Sequence, residues 1–381
     1  MAKEKYRKIK KNVLIISLFD FNSKHKFYFL NKLNKSFNIY SLSLKNYIKD
    51  NSLKNLKKKL NMIVKNKKLD YYFDLLPIPD HQYKSKLYKQ NLLKYFEVRK
   101  ILNESDVKSI RIVPIWLNKW MLFPYKYFIS FRNLYRYFKN LISENVYNYP
   151  KTNYSVICSD FSLNNEKYFN SKKIYLHHHD YLKHKDINYN IGFKNLKKKN
   201  FIVYLDQNLG STNFDIKLID KNYDFKFNNL YRELNNFFDL VEDKLRTEVV
   251  IALHPRRSFS KANKIFNNRK LFKNLSAELI YFSRAALIHD TMSVNFAIIN
   301  SKPFSILTSD ELENSLYKKS INYYASFFEK KKINISKNAN LSIKNFFYVD
   351  KEKYNLYTKQ CIIPSKARSY NVNNVFKKIL Y

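Results

Sequence analysis

The stretch that decides the fold runs from Val249 to Leu307: VVIALHPRR at 249–257, a polar and basic segment, then SAELIYFSRAALIHDTMSVNFAIINSKPFSIL at 276–307. Val249 to Leu253 is a continuous apolar run that stops at His254-Pro255-Arg256-Arg257. Leu275 to Phe282 has helical spacing. Ala285 to Ile288 is a second apolar run, ending at His289-Asp290-Thr291. Ser293 to Ile299 reads as a helix and Pro303 to Leu307 as a third strand. Alternation of this kind predicts parallel strands buried on both faces. Ligand sites in such sheets form beyond the carboxyl ends of the strands. His254, Arg256 and the segment Thr291 to Ser293 fall there.

Outward from that stretch the same alternation recurs. Val13 to Phe19 reads as a first buried strand, Lys26 to Lys35 as a helix and Phe37 to Leu44 as a second strand. Leu53 to Lys68 is basic and helical. Ser85 to Leu102 has amphipathic helical spacing, Ile110 to Trp116 is strand-like, and Met121 to Asn145 is an aromatic-rich helical region. Tyr154 to Cys158 and Lys173 to Leu176 are short strands. The polar connector Gly192 to Asn200 marks a boundary between domains 1–195 and 196–381. Phe201 to Leu205 then opens the second domain, and Tyr223 to Arg246 is a long helix. Asn345 to Val349 reads as a late strand, and a last helix, Val372 to Tyr381, has the option of returning to the first domain. The expected fold is α/β, with two Rossmann-like domains facing a cleft.

Composition narrows the function. The 381 residues carry 71 Lys and Arg against 31 acids, a formal net charge of +40. That excess suits an anionic partner, but it also follows from A/T-rich codons. Lys, Asn, Ile, Tyr and Phe are abundant, whereas Gly numbers 2 and Pro 8. Two glycines, Gly192 and Gly210, exclude a dinucleotide fingerprint and a P-loop, both of which need several. Cys158 and Cys361 form no metal-binding or redox spacing, and two unpaired thiols suit a cytoplasmic setting. Val13 to Phe19 is too short to span a bilayer and has no cleavage site after it, so a protein without a membrane span is expected. His177-His178-His179-Asp180 invites a metal reading, but neighbouring strand side chains point to opposite faces, and no metal or cofactor is expected.

The strand-end residues suit a sugar donor whose phosphate becomes the leaving group, because they place cations and hydroxyls where negative charge builds. His254 can donate to that phosphate or protonate it. Asp290 or Thr291 is a candidate N-cap, leaving backbone N–H groups near Ser293 for the anion. Asp206, at the end of the neighbouring strand, is the candidate base for the acceptor hydroxyl.

In this light LDQ at 205–207, ALHPRR at 252–257, SAELI at 276–280 and HDTMSVNFAI…SKPF at 289–304 resemble the C-terminal half of bacterial surface-polysaccharide glycosyltransferases. They are similar in particular to GT-B enzymes that use CMP-activated nonulosonic acids or Kdo, which carry an acidic motif, an HP motif and a Ser/Thr motif in that order. The likeness is at motif level and covers about residues 200 to 308. It implies that His254, Thr291 and Ser293 contact the donor phosphate and that Asp206 deprotonates the acceptor; Pro255, Arg256, Asp290 and Asn295 are read beside them as further donor-side candidates. The N-terminal half carries no such likeness, and Asp20, Ser23, His25 and His179 are read there as acceptor-side candidates. Two positions depart from the family pattern. Two acids and a glycine are replaced by Asp206-Gln207-Asn208, and an adjacent hydroxyl pair by Thr291-Met292-Ser293, so a UDP, GDP or TDP donor stays open. The implied partners are a nucleotide-sugar donor and a glycan or lipid-linked glycan acceptor, with peripheral membrane contact and no nucleic acid. A basic nucleic-acid-binding protein and a non-catalytic glycan-assembly protein are the alternatives.

Overall fold

In a computed structural model, the structure describes residues 10–17, 32–33, 36–44, 47, 53–75, 95, 97–113, 152–160, 171–187, 200–209, 227, 229–315, 317–337, 346–369 and 371–380. These divide into two compact units. One holds the chain up to His179 together with residues from Ile363 onward, and the other lies between Asp180 and Ile362. Each contains one six-stranded sheet in which every pairing is parallel. The fold class is α/β with two Rossmann-like sheets.

The first sheet is built from β1 (Lys11–Ser17), β2 (Phe37–Ser43), β3 (Tyr71–Asp74), β4 (Lys108–Val113), β5 (Tyr154–Ile157) and β6 (Lys172–Tyr175), in the order β2-β1-β3-β4-β5-β6. Side chains alternate between its faces. Tyr72 joins Leu14 and Ile16 in a core with Leu56 and Leu60 of α1 (Leu53–Lys67) and with Val98 and Leu102 of the helical stretch 97–104. Tyr71 and Phe73 point the other way. Phe73 meets Phe376 edge-on at 5.7 Å, and the Tyr71 hydroxyl donates to the Leu380 carbonyl at 3.0 Å. A C-terminal helix therefore covers that face. At the end of β3, Asp74 is sealed between Arg99 and Arg111, with all three side chains at most 2% exposed. The two guanidinium groups overcome the opposing effect of burial and hold the Asp74 carboxyl well below the usual carboxylate range.

The second unit contains α2 (His179–Asp186), whose first residue belongs to the other unit, then β7 (Phe201–Leu205), α3 (Leu230–Leu245), β8 (Glu248–Leu253), α4 (Phe259–Ile265), β9 (Leu271–Lys273) and α5 (Ser276–Phe282). It continues through β10 (Ala286–Ile288), α6 (Val294–Ile299), β11 (Phe304–Thr308), α7 (Asp310–Glu313), α8 (Lys318–Phe327), β12 (Ile333–Asn334) and α9 (Lys351–Tyr357). The C-terminal helix of the first unit is α10 (Val372–Leu380). The second sheet has the order β12-β11-β10-β7-β8-β9. The chain winds outward from β7 to β9, returns to the other side of β7 with β10, and winds outward again. The reversal between β7 and β10 is the topological switch point, where loops diverge and leave a crevice. All five residues of β7 and β11 are buried, as are the three of β10, which accounts for their unbroken apolar runs.

Some expectations differ from this. No strand forms over the described part of 345–349. Phe346 is helical rather than extended, and Tyr348 is 55% exposed with its carbonyl taken by Lys330. The expected helix over 121–145 and the connector 192–199 lie outside the described residues. Among the described residues no helix is long and apolar enough to cross a membrane. Both cysteines are free and buried, and burial pushes the Cys158 thiol up to about 12.

Candidate functional site

The switch point of the second sheet brings together three loops, and two consecutive residues after β7 tie them. Asp206 reaches toward the loop after β8, where its Oδ2 accepts the His254 backbone N–H at 3.2 Å. Gln207 reaches toward the loop after β10, where its Oε1 accepts the Asp290 backbone N–H at 2.9 Å. The alternating direction of side chains along an extended segment explains how adjacent residues serve opposite neighbours. Asn208, the third residue, has φ 58°. This is the left-handed region, where glycine is favoured and Asn is the next most tolerant residue. Its backbone N–H donates to Asp206 Oδ1 at 2.9 Å, which closes the turn. The position at which the resembled families carry glycine thus keeps a glycine-like conformation here without one.

Asp206 is not placed as a base for an acceptor. It is 5% exposed, and both oxygens are engaged twice. Arg257 donates from Nε to Oδ2 at 2.6 Å and from Nη2 to Oδ1 at 2.9 Å, while the backbone N–H groups of His254 and Asn208 supply the other two bonds. A carboxylate with its lone pairs committed to a buried guanidinium and two amides holds loops together and has no free oxygen with which to receive a proton. Arg257, only 2% exposed, extends the network: its Nη2 also donates to the Tyr231 hydroxyl at 2.6 Å, and that hydroxyl donates to the Leu209 carbonyl at 2.6 Å. The guanidinium lies over the rings of Tyr231 and Phe266 at 5.3 and 5.7 Å. Of the two consecutive arginines, Arg257 is the internal one, and Arg256 and Pro255 are exposed.

His254 is half-buried at the tip of β8. Its Nδ1 accepts the Arg256 backbone N–H at 3.2 Å. A ring nitrogen that accepts carries no proton, so the neutral ring carries its proton on Nε2.

The loop after β10 departs from expectation at its helix tip. Thr291 Oγ1 accepts the Ser293 N–H at 3.2 Å, and the N–H groups of Val294, Asn295 and Phe296 bond to the carbonyls of Thr291, Met292 and Ser293. The N–H groups expected to be available near Ser293 are consumed in that tight turn. Ser293 occupies the cap position of α6 with no side-chain cap bond, and neither Asp290 nor Thr291 is the N-cap. Thr291 and Ser293 are half-buried, and Met292 between them is 37% exposed. Asp290 is turned inward: its Oδ2 accepts from the Ser320 hydroxyl, and burial raises its carboxyl above the usual range. Asn295 is fully buried and donates from Nδ2 to Asp180 Oδ2 at 2.8 Å, which fastens α6 to α2. It is not placed to hold a donor. His289, next to Asp290, is also fully buried. Its Nδ1 meets the Leu307 carbonyl at 2.9 Å, Nε2 has no partner among the described residues, and burial lowers its pKa to about 4.

In the first unit, His178 is buried and its ring lies 4.0 Å from that of the half-buried His179. Asp20, Ser23 and His25 lie outside the described residues. Sequence reasoning passed over Tyr231, took Gln207 only as a departure from the family pattern, and gave Arg257 no role distinct from that of Arg256. One signal was present: two arginines in succession directly after a buried strand, of which only one can face solvent.

No protein-family model matches the sequence, and no curated protein matches it. Solved structures with a similar arrangement of elements include a protein assigned as a UDP-N-acetylglucosamine 2-epimerase from Listeria monocytogenes. It is 10% identical with a TM-score of 0.49, over 97% of this chain and 95% of that one. Staphylococcus aureus MnaA, in a co-structure with UDP, is 10% identical with a TM-score of 0.47, over 92% and 96%. The glycosyltransferase SnogD from Streptomyces nogalater is 9% identical with a TM-score of 0.46, over 97% and 98%.

Proposed function

We propose that the chain is a glycosyltransferase of cell-surface polysaccharide assembly, of GT-B type and independent of metal, which takes its sugar from a nucleotide donor. The observation that carries this reading is the coupling of the HP loop and the Thr-Met-Ser loop through Asp206 and Gln207 at the switch point of one parallel sheet. Open α/β sheets bind their ligands at such a point. In the proposal the donor phosphate lies against the Nε2–H of His254 and the hydroxyls of Thr291 and Ser293. As the glycosidic bond breaks, negative charge grows on the phosphate oxygen, and a fixed N–H donor stabilises that charge more than it stabilises the intact donor. Exposed Arg256 adds long-range attraction for the anion. Asp206 and Arg257 act by holding His254 in place. The acceptor hydroxyl needs a different base, and Asp20, Ser23, His25 and His179 stay with the proposal as its acceptor-side group.

Within the donor class, a CMP-activated nonulosonic acid or Kdo is the reading that the order of the acidic, HP and Ser/Thr motifs supports. The test is nucleotide release by the purified protein from CMP-, UDP-, GDP- and TDP-sugars in the presence of glycan acceptors. Release of CMP from a nonulosonic or Kdo donor is expected. Release from another donor alone would move the specificity. No release from any of them, by a protein that binds a nucleotide, would replace the transferase with a non-catalytic role.

A further inference from the structure

We propose that the outer face of α1 docks the first unit on an anionic lipid bilayer. The helix, LKNLKKKLNMIVKNK, has six lysines and no acid. Its inner face is accounted for by Leu56 and Leu60, which are at most 1% exposed in the core. Three of the lysines have local partners: Lys57 pairs with Glu97 at 2.8 Å, and Lys59 and Lys67 lie over the rings of Tyr47 and Tyr40. The remaining three, Lys54, Lys58 and Lys65, are exposed and have no ion-pair or ring partner among the described residues. Positions spaced by four, seven and eleven residues fall on one side of a helix. These three therefore form a straight row, about 16 Å long at about 1.5 Å per residue.

Met62 lies on the same stripe, between Lys58 and Lys65, and is 52% exposed. A row of cations flanking an exposed apolar side chain matches a bilayer surface. Lipid phosphates neutralise the row, and the thioether leaves water at the acyl boundary. A nucleic acid would meet the same charges, but the exposed residues of this helix include no arginine and no aromatic ring for a base to stack on. The surface does not depend on which reaction the chain performs.

The experiment is vesicle co-sedimentation of the full chain with phosphatidylcholine alone and with phosphatidylcholine containing phosphatidylglycerol. Three proteins are compared: the wild type, Lys54→Gln/Lys58→Gln/Lys65→Gln, and Lys244→Gln/Lys261→Gln/Lys264→Gln. The last removes the same charge from exposed positions of the second unit. Circular dichroism and melting curves establish that both variants fold. Each lysine near an anionic surface contributes roughly a factor of five, so the α1 variant should bind anionic vesicles on the order of 100-fold more weakly. The second-unit variant should stay within about a factor of two of wild type, and neutral vesicles should bind little of any of them. Equal weakening of the two variants, absence of wild-type binding to anionic vesicles, or displacement of the wild type from vesicles by a single-stranded oligonucleotide through the same three lysines would overturn the proposal.

Discussion

The guanidinium of Arg257 and the carboxylate of Asp206 face each other edge to edge across 51 residues of sequence, with Nε 2.6 Å from Oδ2 and Nη2 2.9 Å from Oδ1. Both side chains are at most 2% exposed. Such a pair holds the loops after β7 and β8 together, and its disruption leaves a buried charge with no counterpart. Asp206→Asn should therefore lower stability, by roughly 3–5 kcal/mol on the usual scale for breaking one half of a buried pair. Nucleotide affinity should fall together with turnover. An acceptor base would behave otherwise, losing turnover with affinity and melting temperature intact. Equilibrium denaturation and nucleotide titration of the one variant separate the two.

Arg257→Lys keeps the charge but loses the fork. A lysine cannot reach both Asp206 oxygens and the Tyr231 hydroxyl together. This substitution should weaken nucleotide binding although Arg257 is buried and Arg256, its exposed neighbour, is unchanged. Isothermal titration of Arg257→Lys beside Arg256→Lys checks this, the buried change being expected to be the more damaging.

Asn208, at φ 58°, predicts a simple ordering. Asn208→Gly should be tolerated within a few tenths of a kcal/mol. Asn208→Val, whose branched Cβ is disfavoured at positive φ, should cost about 1–3 kcal/mol. Melting temperatures of the two variants measure it.

His289 gives a pH dependence. Burial depresses its pKa from 6.5 to about 4 in the folded chain, so between those values the unfolded chain binds the extra proton. Stability therefore rises with pH through that window, and is lost as pH falls from about 6.5 to about 4. At about 1.4 kcal/mol per unit the contribution is on the order of 3 kcal/mol. His289→Asn, which keeps an N–H for the Leu307 carbonyl, should flatten that part of the profile in denaturation curves at stepped pH.

Much of the second sheet was legible because its inner strands are buried on both faces, so that Phe201 to Leu205 and Val249 to Leu253 stand out as unbroken apolar runs. Their carboxyl ends, and with them Asp206 and His254, followed directly. The edge strands β9 and β12 have three and two residues and no such run, and they were not legible. Asn345 to Val349 has strand-like residues but no strand among the described ones, because aromatic composition alone does not supply a pairing partner. The direction of each side chain was the harder part. Asp206 as a turn-end acid, Asn295 inside α6 and Asp290 before it read as site residues in one dimension, yet each is committed to a distant partner: Arg257, Asp180 and Ser320. Hydrogen bonds spanning 30 to 115 residues leave no mark in local periodicity.

The most direct test of the central claim is a thermal-shift titration of the wild type and of His254→Ala with CMP, UDP, GDP and TDP. A ligand at about 100 times its dissociation constant stabilises the folded form by about 2.7 kcal/mol. The account predicts that one of these nucleotides raises the wild-type melting temperature by several degrees, and that His254→Ala, folded and equally stable without nucleotide, loses most of that rise. No shift with any nucleotide, or an undiminished shift in His254→Ala, would contradict it.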